Sequence, residues 1–365
     1  MGAASVLPGF LVGALTLQIR SDFDEGVRAI AAGVTVFFLA GAFGTAAGGR
    51  LAERVGGLRA MRASVIVTAG CLLAIALAAR SLPVFFLLLA AAGAANAVTQ
   101  PAINLYMARA VPLDRQGLAF GIKQSAIPVA VMVSGLALPF LALPLGWRPA
   151  FAICAGMAAL VALAATLEHA AGASPAAPAP PGERPATRSL LPFTLGAALA
   201  SSGPSALSAY LVASAVDTGI GEGTAGLLAA VGSATSLLVR VACGQRADRR
   251  RDYGFGMVVA LLALGSLGFL LLSAGAPAPF VAGAVVAYAL GWGWPGLFNL
   301  AVVHLHRAAP GAATGVTQSG IYVGASGGPA AYGLLAGAAG YTGAWAAVAG
   351  VSLMAALVIG LAART

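Results

Sequence analysis

Within long apolar stretches, a few residues carry groups that lipid does not tolerate without a reason. Lys123 sits about seven residues into one stretch, roughly 10 Å from its start at 1.5 Å per helical residue. Arg240 lies near the end of another, on a face shared with Ser233 and Ser236. A cation at membrane depth costs about 3 kcal/mol on insertion scales, so each is a candidate site. Lys123 reads either as a group that attracts an anion or as a side chain that snorkels to the headgroups and locks a helix end. Arg240 reads as an interfacial anchor, with a ligand contact as the alternative. Neutral polar residues recur at helical spacing: Asn96, Gln100 and Asn104 at i, i+4 and i+8, and Gln318 with Tyr322 at i, i+4. Ser201, Ser205 and Ser208 flank Pro204, and Trp292, Trp294 and Asn299 surround Pro295. With Gln124 and Tyr210 these are candidate ligand contacts, or hydrogen bonds between helices.

What is missing narrows the chemistry. No Asp or Glu falls deep in an apolar run; Asp22, Asp24, Glu25, Asp217 and Glu222 sit in short connections. A buried carboxylate is the usual proton carrier or partner of a cation in such proteins, so one or two cations without a buried acid lean toward an anionic or neutral polar ligand. No H-E-x-x-H occurs, and His304 and His306 lack a third ligand. Cys71, Cys154 and Cys243 share no disulfide or metal spacing. The expectation is a protein that is not an enzyme and holds no metal or cofactor. The formal charge of +9 comes from arginines in short loops without interleaved aromatic residues, so nucleic acid is not the expected partner.

The elements that position these residues follow from composition. Of 365 residues 60% are apolar and 8% charged, with mean hydropathy +0.93. A soluble surface needs about 25% charged residues to stay hydrated; here the partner is a lipid bilayer. Apolar runs of about the 20 residues that cross a bilayer fall at 4–19, 27–48, 60–79, 82–107, 117–145, 148–168, 190–214, 224–243, 254–274, 278–304, 311–338 and 341–362. Backbone groups in lipid must bond internally, so each run is read as a helix. The fold class is an all-α membrane protein of about twelve spans.

Residues 169–189 hold five prolines and cannot cross. They are read as a linker between a six-helix bundle at 1–168 and a second at 190–365. The halves repeat one another: Gly49-x-x-x-Glu53-Arg54 matches Gly244-x-x-x-Asp248-Arg249, Arg109-Ala-Val-Pro112 matches Arg307-Ala-Ala-Pro310, and Gly121-Ile-Lys-Gln-Ser125 matches Gly315-Val-Thr-Gln-Ser319, at offsets of 195, 198 and 194. Fourteen arginines, including Arg50, Arg54, Arg59 and Arg62, fall on the linker side, against Arg20, Arg28, Arg80 and Arg148 on the other. By the positive-inside rule the linker and both termini are expected in the cytoplasm, in a bacterial inner membrane.

The segment Gly49-Arg-Leu-Ala-Glu53-Arg54-Val-Gly56-Gly57-Leu-Arg59 is similar to the G-x-x-x-[DE]-R-x-G-[RK]-[RK] loop of the major facilitator superfamily. It departs at Gly57 and Leu58, and the second copy puts Arg251 where glycine is expected. With twelve spans and a central linker, the resemblance covers essentially the whole chain. It implies a monomeric secondary transporter that moves a small solute by rocking two bundles about a midplane site. It implies a gating role for Gly49, Glu53, Arg54, Gly56, Gly244, Asp248 and Arg249. Glu53 is expected to face the N-terminal end of a neighbouring helix dipole. The expected solute is an organic anion, with a coupling proton left open; drug-like efflux and a receptor without transport are the alternatives. Phe10-Leu-Val-Gly13 resembles Tyr210-Leu-Val-Ala213, yet the second copy has some 20 residues of helix before it and the first only nine. The first span therefore reads as about half length, as if the chain began at an internal start.

Overall fold

The computed structural model describes residues 1–110, 115–169, 187–306 and 310–364, excepting the side chains of Ala46, Arg50, Glu53, 104–110, Gln116, 166–169, Thr187 and 310–312. Helix accounts for nearly all of it, with no strand among the described residues. We number the spans α1 to α12. α1 is a pair, Gly2–Ala14 and Thr16–Phe23, bent by 69° at Leu15. α2 to α4 are Val27–Val55, Gly57–Ala78 and Leu82–Ala110. α5 runs in pieces, Gln116–Gln124, Ala126–Ala137 and a π turn at Leu138–Ala142, ending at Leu143–Leu145. α6 to α9 are Trp147–His169, Thr187–Asp217, Glu222–Arg250 and Gly256–Leu272. α10 is Pro277–Leu305, broken at residues 292–294 after a π turn at Ala287–Gly291. The stretch Pro310–Ala362 contains α11 and α12, separated where Gly340 takes φ +71° and ψ 173°. The expected linker lies outside the described residues except at its ends, where helix covers His169 and Thr187–Ser189.

Two boundaries correct the sequence reading. α2 and α8 run on to Val55 and Arg250, about two turns beyond the ends of the apolar runs at 48 and 243. The Gly49–Arg54 motif is therefore helix, not loop, and the chain reverses at Gly56, whose φ of +88° and ψ of 138° suit a residue without Cβ. In the second copy Arg251 takes the left-handed conformation, φ +51°, where glycine had been expected.

At the end away from the linker, which we call the far face, the start of α6 is pinned to α1 and α3. Arg148 donates to Asp22 at 3.2 Å and to the carbonyls of Ala79 at 2.9 Å and Ala76 at 3.4 Å, which the end of α3 leaves without helical donors. Trp147 adds an indole N–H to Asp22 at 3.1 Å and packs edge-on against Phe85 and Phe151. Arg148→Ala is expected to lower the thermal-unfolding midpoint in detergent by a few degrees. Asp22→Ala, which leaves the carbonyl contacts in place, should lower it less; equal midpoints would show that the carbonyl contacts contribute nothing.

Candidate functional site

The two sequence repeats meet along a long seam between α5 and α8. Gly117 and Gly244 bring the backbones together near the linker end: a Cβ on Gly244 would lie 2.5 Å from the Gly117 carbonyl oxygen, and one on Gly117 2.7 Å from that of Gly244. The Asp248 carboxylate accepts the N–H groups of Gly117 at 2.9 Å and Leu118 at 2.8 Å. Those are orphan donors of the first turn of α5, where the helix dipole also favours a negative charge. The arrangement expected of Glu53 is thus present in the second copy. The side chains of Glu53 and of 310–312, its repeat-related target, lie outside the described part of the structure. Arg54 and Arg249 are exposed, and the nearest described atom to a Cβ on Gly49 is Pro101 Cβ at 3.8 Å.

Higher along the same seam lies Arg240, and here the sequence reading is overturned. It is 2% exposed and not an interfacial anchor. Because α8 continues to Arg250, it stands ten residues, about 15 Å, from the helix end. Its guanidinium donates through Nε at 3.1 Å and Nη2 at 2.5 Å to the Trp292 carbonyl of α10, and through Nη1 to the Gln124 carbonyl of α5. Both acceptors are free for a local reason. Pro128 stands four residues after Gln124, so the N–H that would close that helical turn is absent, and Trp292 lies in the break of α10 at 292–294, outside regular helix. Of the charged residues described, Arg240 alone is buried, and it has no carboxylate partner. A guanidinium has five N–H donors; three are used here, which leaves two.

From Arg240 a short aromatic path crosses between the repeats. The cation lies 5.9 Å from the Trp292 ring centroid, Trp292 meets Phe10 of α1 edge-on at 5.7 Å, and Phe10 meets Phe38 of α2 at 6.0 Å. Five residues before Phe10, Ser5 donates to Asn96 of α4 at 3.0 Å. Asn96 and Thr45 face the hydroxyl of Tyr322, which stops short of a well-formed hydrogen bond. Asn96 Nδ2, Tyr322 Oη, Trp294 Nε1 and Asn299 Oδ1 are all buried and unpartnered among the described residues. Unmet polar groups are costly away from water, so the Asn96–Tyr322 pair, whose members face each other, is a candidate contact for a polar group.

The sequence candidates are therefore divided. Gln124, Trp292, Asn96 and Tyr322 fall on the path, Gln124 through its carbonyl. Asn299 is buried in the same span as Trp292. Lys123 instead lines an open pocket of about 360 Å³ with Gly2, Ile103, Ala119, Ile122 and Ala126. Tyr210 packs against Tyr332 at 4.8 Å with the rings tilted by 40°, in an aromatic group with Tyr341 and Trp345. Gln100 and Gln318 are half-buried and make no side-chain hydrogen bond among the described residues; the Asn104 side chain lies outside them. Ser5, Thr45 and Phe10 were not singled out. A repeat offset of 195 pairs Thr45 with Arg240, a signal that sequence could have offered.

Toward the far face, nine residues or about 13 Å inside the end of α7, α1 crosses α7 so closely that a Cβ on Gly13 would enter the envelope of the Ser208 carbonyl oxygen. Nearby, Gln18 donates to the Glu222 carboxylate at the start of α8. A family model described as Major Facilitator Superfamily matches residues 3–329. No curated protein matches the chain.

Proposed function

The chain belongs to the major facilitator superfamily of secondary transporters of small solutes, a multi-pass membrane protein, and from that premise we propose that its solute is an organic anion carried by rocking alternating access. Residues 1–168 and 190–365 are the two rocking bundles, joined by the linker at 169–189. The linker and both termini face the cytoplasm of a bacterial cell, as the arginine distribution supports.

The observation that carries the anion reading is Arg240, a buried cation at the seam with two unused donors and no acid beside it. An anionic group supplied by the solute would complete its fork. Trp292 and Phe10 would line an apolar middle, and Asn96 with Tyr322 would meet a polar group at the other end. Lys123, in its separate pocket, acts earlier, as a cation on the access route from the linker face. Asp248, and Glu53 by repeat symmetry, hold the linker face shut in one state and release it in the other.

Uptake into proteoliposomes tests this reading with matched solutes: small monocarboxylates, their neutral amides and amines of the same size. Saturable flux is expected for a carboxylate, and Lys123→Ala is expected to reduce it while the protein still inserts. Saturable flux confined to the amines would overturn the anion assignment. Unchanged carboxylate flux in the Lys123 variant would remove that residue from the route.

A further inference from the structure

Arg240 does more at the seam than an anion contact needs to do. Through Gln124 and Trp292 it ties α8 to α5 and to the break in α10, so one side chain links spans from both repeats. It sits on the same line as the close approach of α5 and α8. Gly117 and Gly244 form the first rung, Asp248 with the start of α5 lies beside it, and a Cβ on Gly121 would lie 2.8 Å from the Arg240 carbonyl oxygen one turn higher. The guanidinium forms the last rung before the aromatic path.

A neutral side chain with two donors could have capped the same two carbonyls. A charge buried without a counter-ion is far more costly than a neutral amide, and it is tolerated where a change of partner is part of the mechanism. Carbonyl oxygens are also weaker partners for a guanidinium than a carboxylate, which binds through two parallel charge-assisted bonds. An arriving anion therefore competes with Gln124 and Trp292 for the same fork, and it favours the state in which the fork has turned toward it.

We propose that Arg240 is a latch between the repeats, closed on the backbone carbonyls of Gln124 and Trp292 when the site is empty and released when an anionic solute takes the guanidinium. This rests on the anion reading for what releases the latch, though not for what holds it. Release frees α5 from α8 at the level of Gln124 and leaves the linker-face contact at Asp248 as the remaining polar hold. Charge, not size, is then what admits a solute to the cycle.

The test uses the full chain in proteoliposomes, with Cys71, Cys154 and Cys243 replaced by serine and Ser125→Cys as the reporter. Ser125 is buried, one residue past Gln124, and bonds only within its own helix, at 2.8 Å to Gly121. Its rate of alkylation by a membrane-impermeant maleimide reads the opening of the seam. Without solute, Arg240→Ala is expected to raise that rate tenfold or more. Arg240→Gln, which keeps donors for the carbonyls, is expected to stay near the parent rate and to guard against misfolding as the explanation. Acetate, pyruvate and benzoate are the anionic probes, against their amides. At least one acid should accelerate the parent several-fold and leave Arg240→Gln unmoved. Parent-like alkylation in Arg240→Ala would overturn the latch while leaving the anion reading standing. An amide that opens the parent as well as its acid would overturn release by charge, and the anion reading with it.

Discussion

Gly13→Ala should nearly abolish transport while leaving the protein folded and inserted. The added methyl would enter the space of the Ser208 carbonyl oxygen, where α1 crosses α7 backbone to backbone. Neither helix can yield locally, because the obstructing atom is main chain. Forcing a methyl into such a contact costs about 1–3 kcal/mol, which lowers the population closed on the far face roughly tenfold to a hundredfold. A rocking carrier needs that state once per cycle, so turnover should fall by a similar factor. Gly70→Ala is the control, since nothing described lies within 4 Å of its Cβ. Cross-linking between cysteines at positions 18 and 222, where Gln18 meets Glu222, should be quick in the parent and slow in Gly13→Ala. Parent-like flux in that variant would mean that the α1–α7 crossing never has to close this tightly.

The second large effect is expected at the opposite face. Asp248→Ala removes two charge-assisted bonds, to Gly117 and Leu118, and with them the anion at the start of α5. Asp248 is partly exposed, so about 2 kcal/mol is a fair figure for the two together. That is about a thirtyfold shift between the two states. Turnover should slow far more than solute affinity changes. Asp248→Asn, which keeps one acceptor, should fall between. Glu53→Ala, the repeat-related change, is expected to act in the same direction, and parent turnover in both variants would separate the motif from gating.

The sequence was a good guide to what the bilayer dictates. Run length and the absence of charge marked nearly every span, because a helix in lipid has no other way to bond its backbone. It was a poor guide to where helices stop in water. α2 and α8 run on past their apolar runs, so a boundary drawn on hydropathy put Arg240 at a helix end when it stands three turns inside the helix, buried against α5 and α10. The motif residues at 49–54 became a loop for the same reason. Periodicity found Asn96 and Tyr322, whose polar groups stand out in an apolar face. It could not find Ser5, Thr45 or Phe10, because serine, threonine and phenylalanine are ordinary in membrane helices and become a site only through neighbours far along the chain. Pro128 was legible in principle: it removes the donor for the Gln124 carbonyl, and a membrane helix that loses one needs a substitute from elsewhere.

That missing donor bears on how the protein is made. While α5 is inserted and α8 is still unsynthesised, the carbonyl of Gln124 has neither Pro128 nor Arg240 to bond it. In hydrocarbon such a group costs several kcal/mol, so the first repeat enters the membrane with a carbonyl that Arg240 of the second repeat meets in the folded chain. Expressed by itself it should be short-lived in the cell, and separate expression of the second repeat alongside it should restore its lifetime through a single arginine.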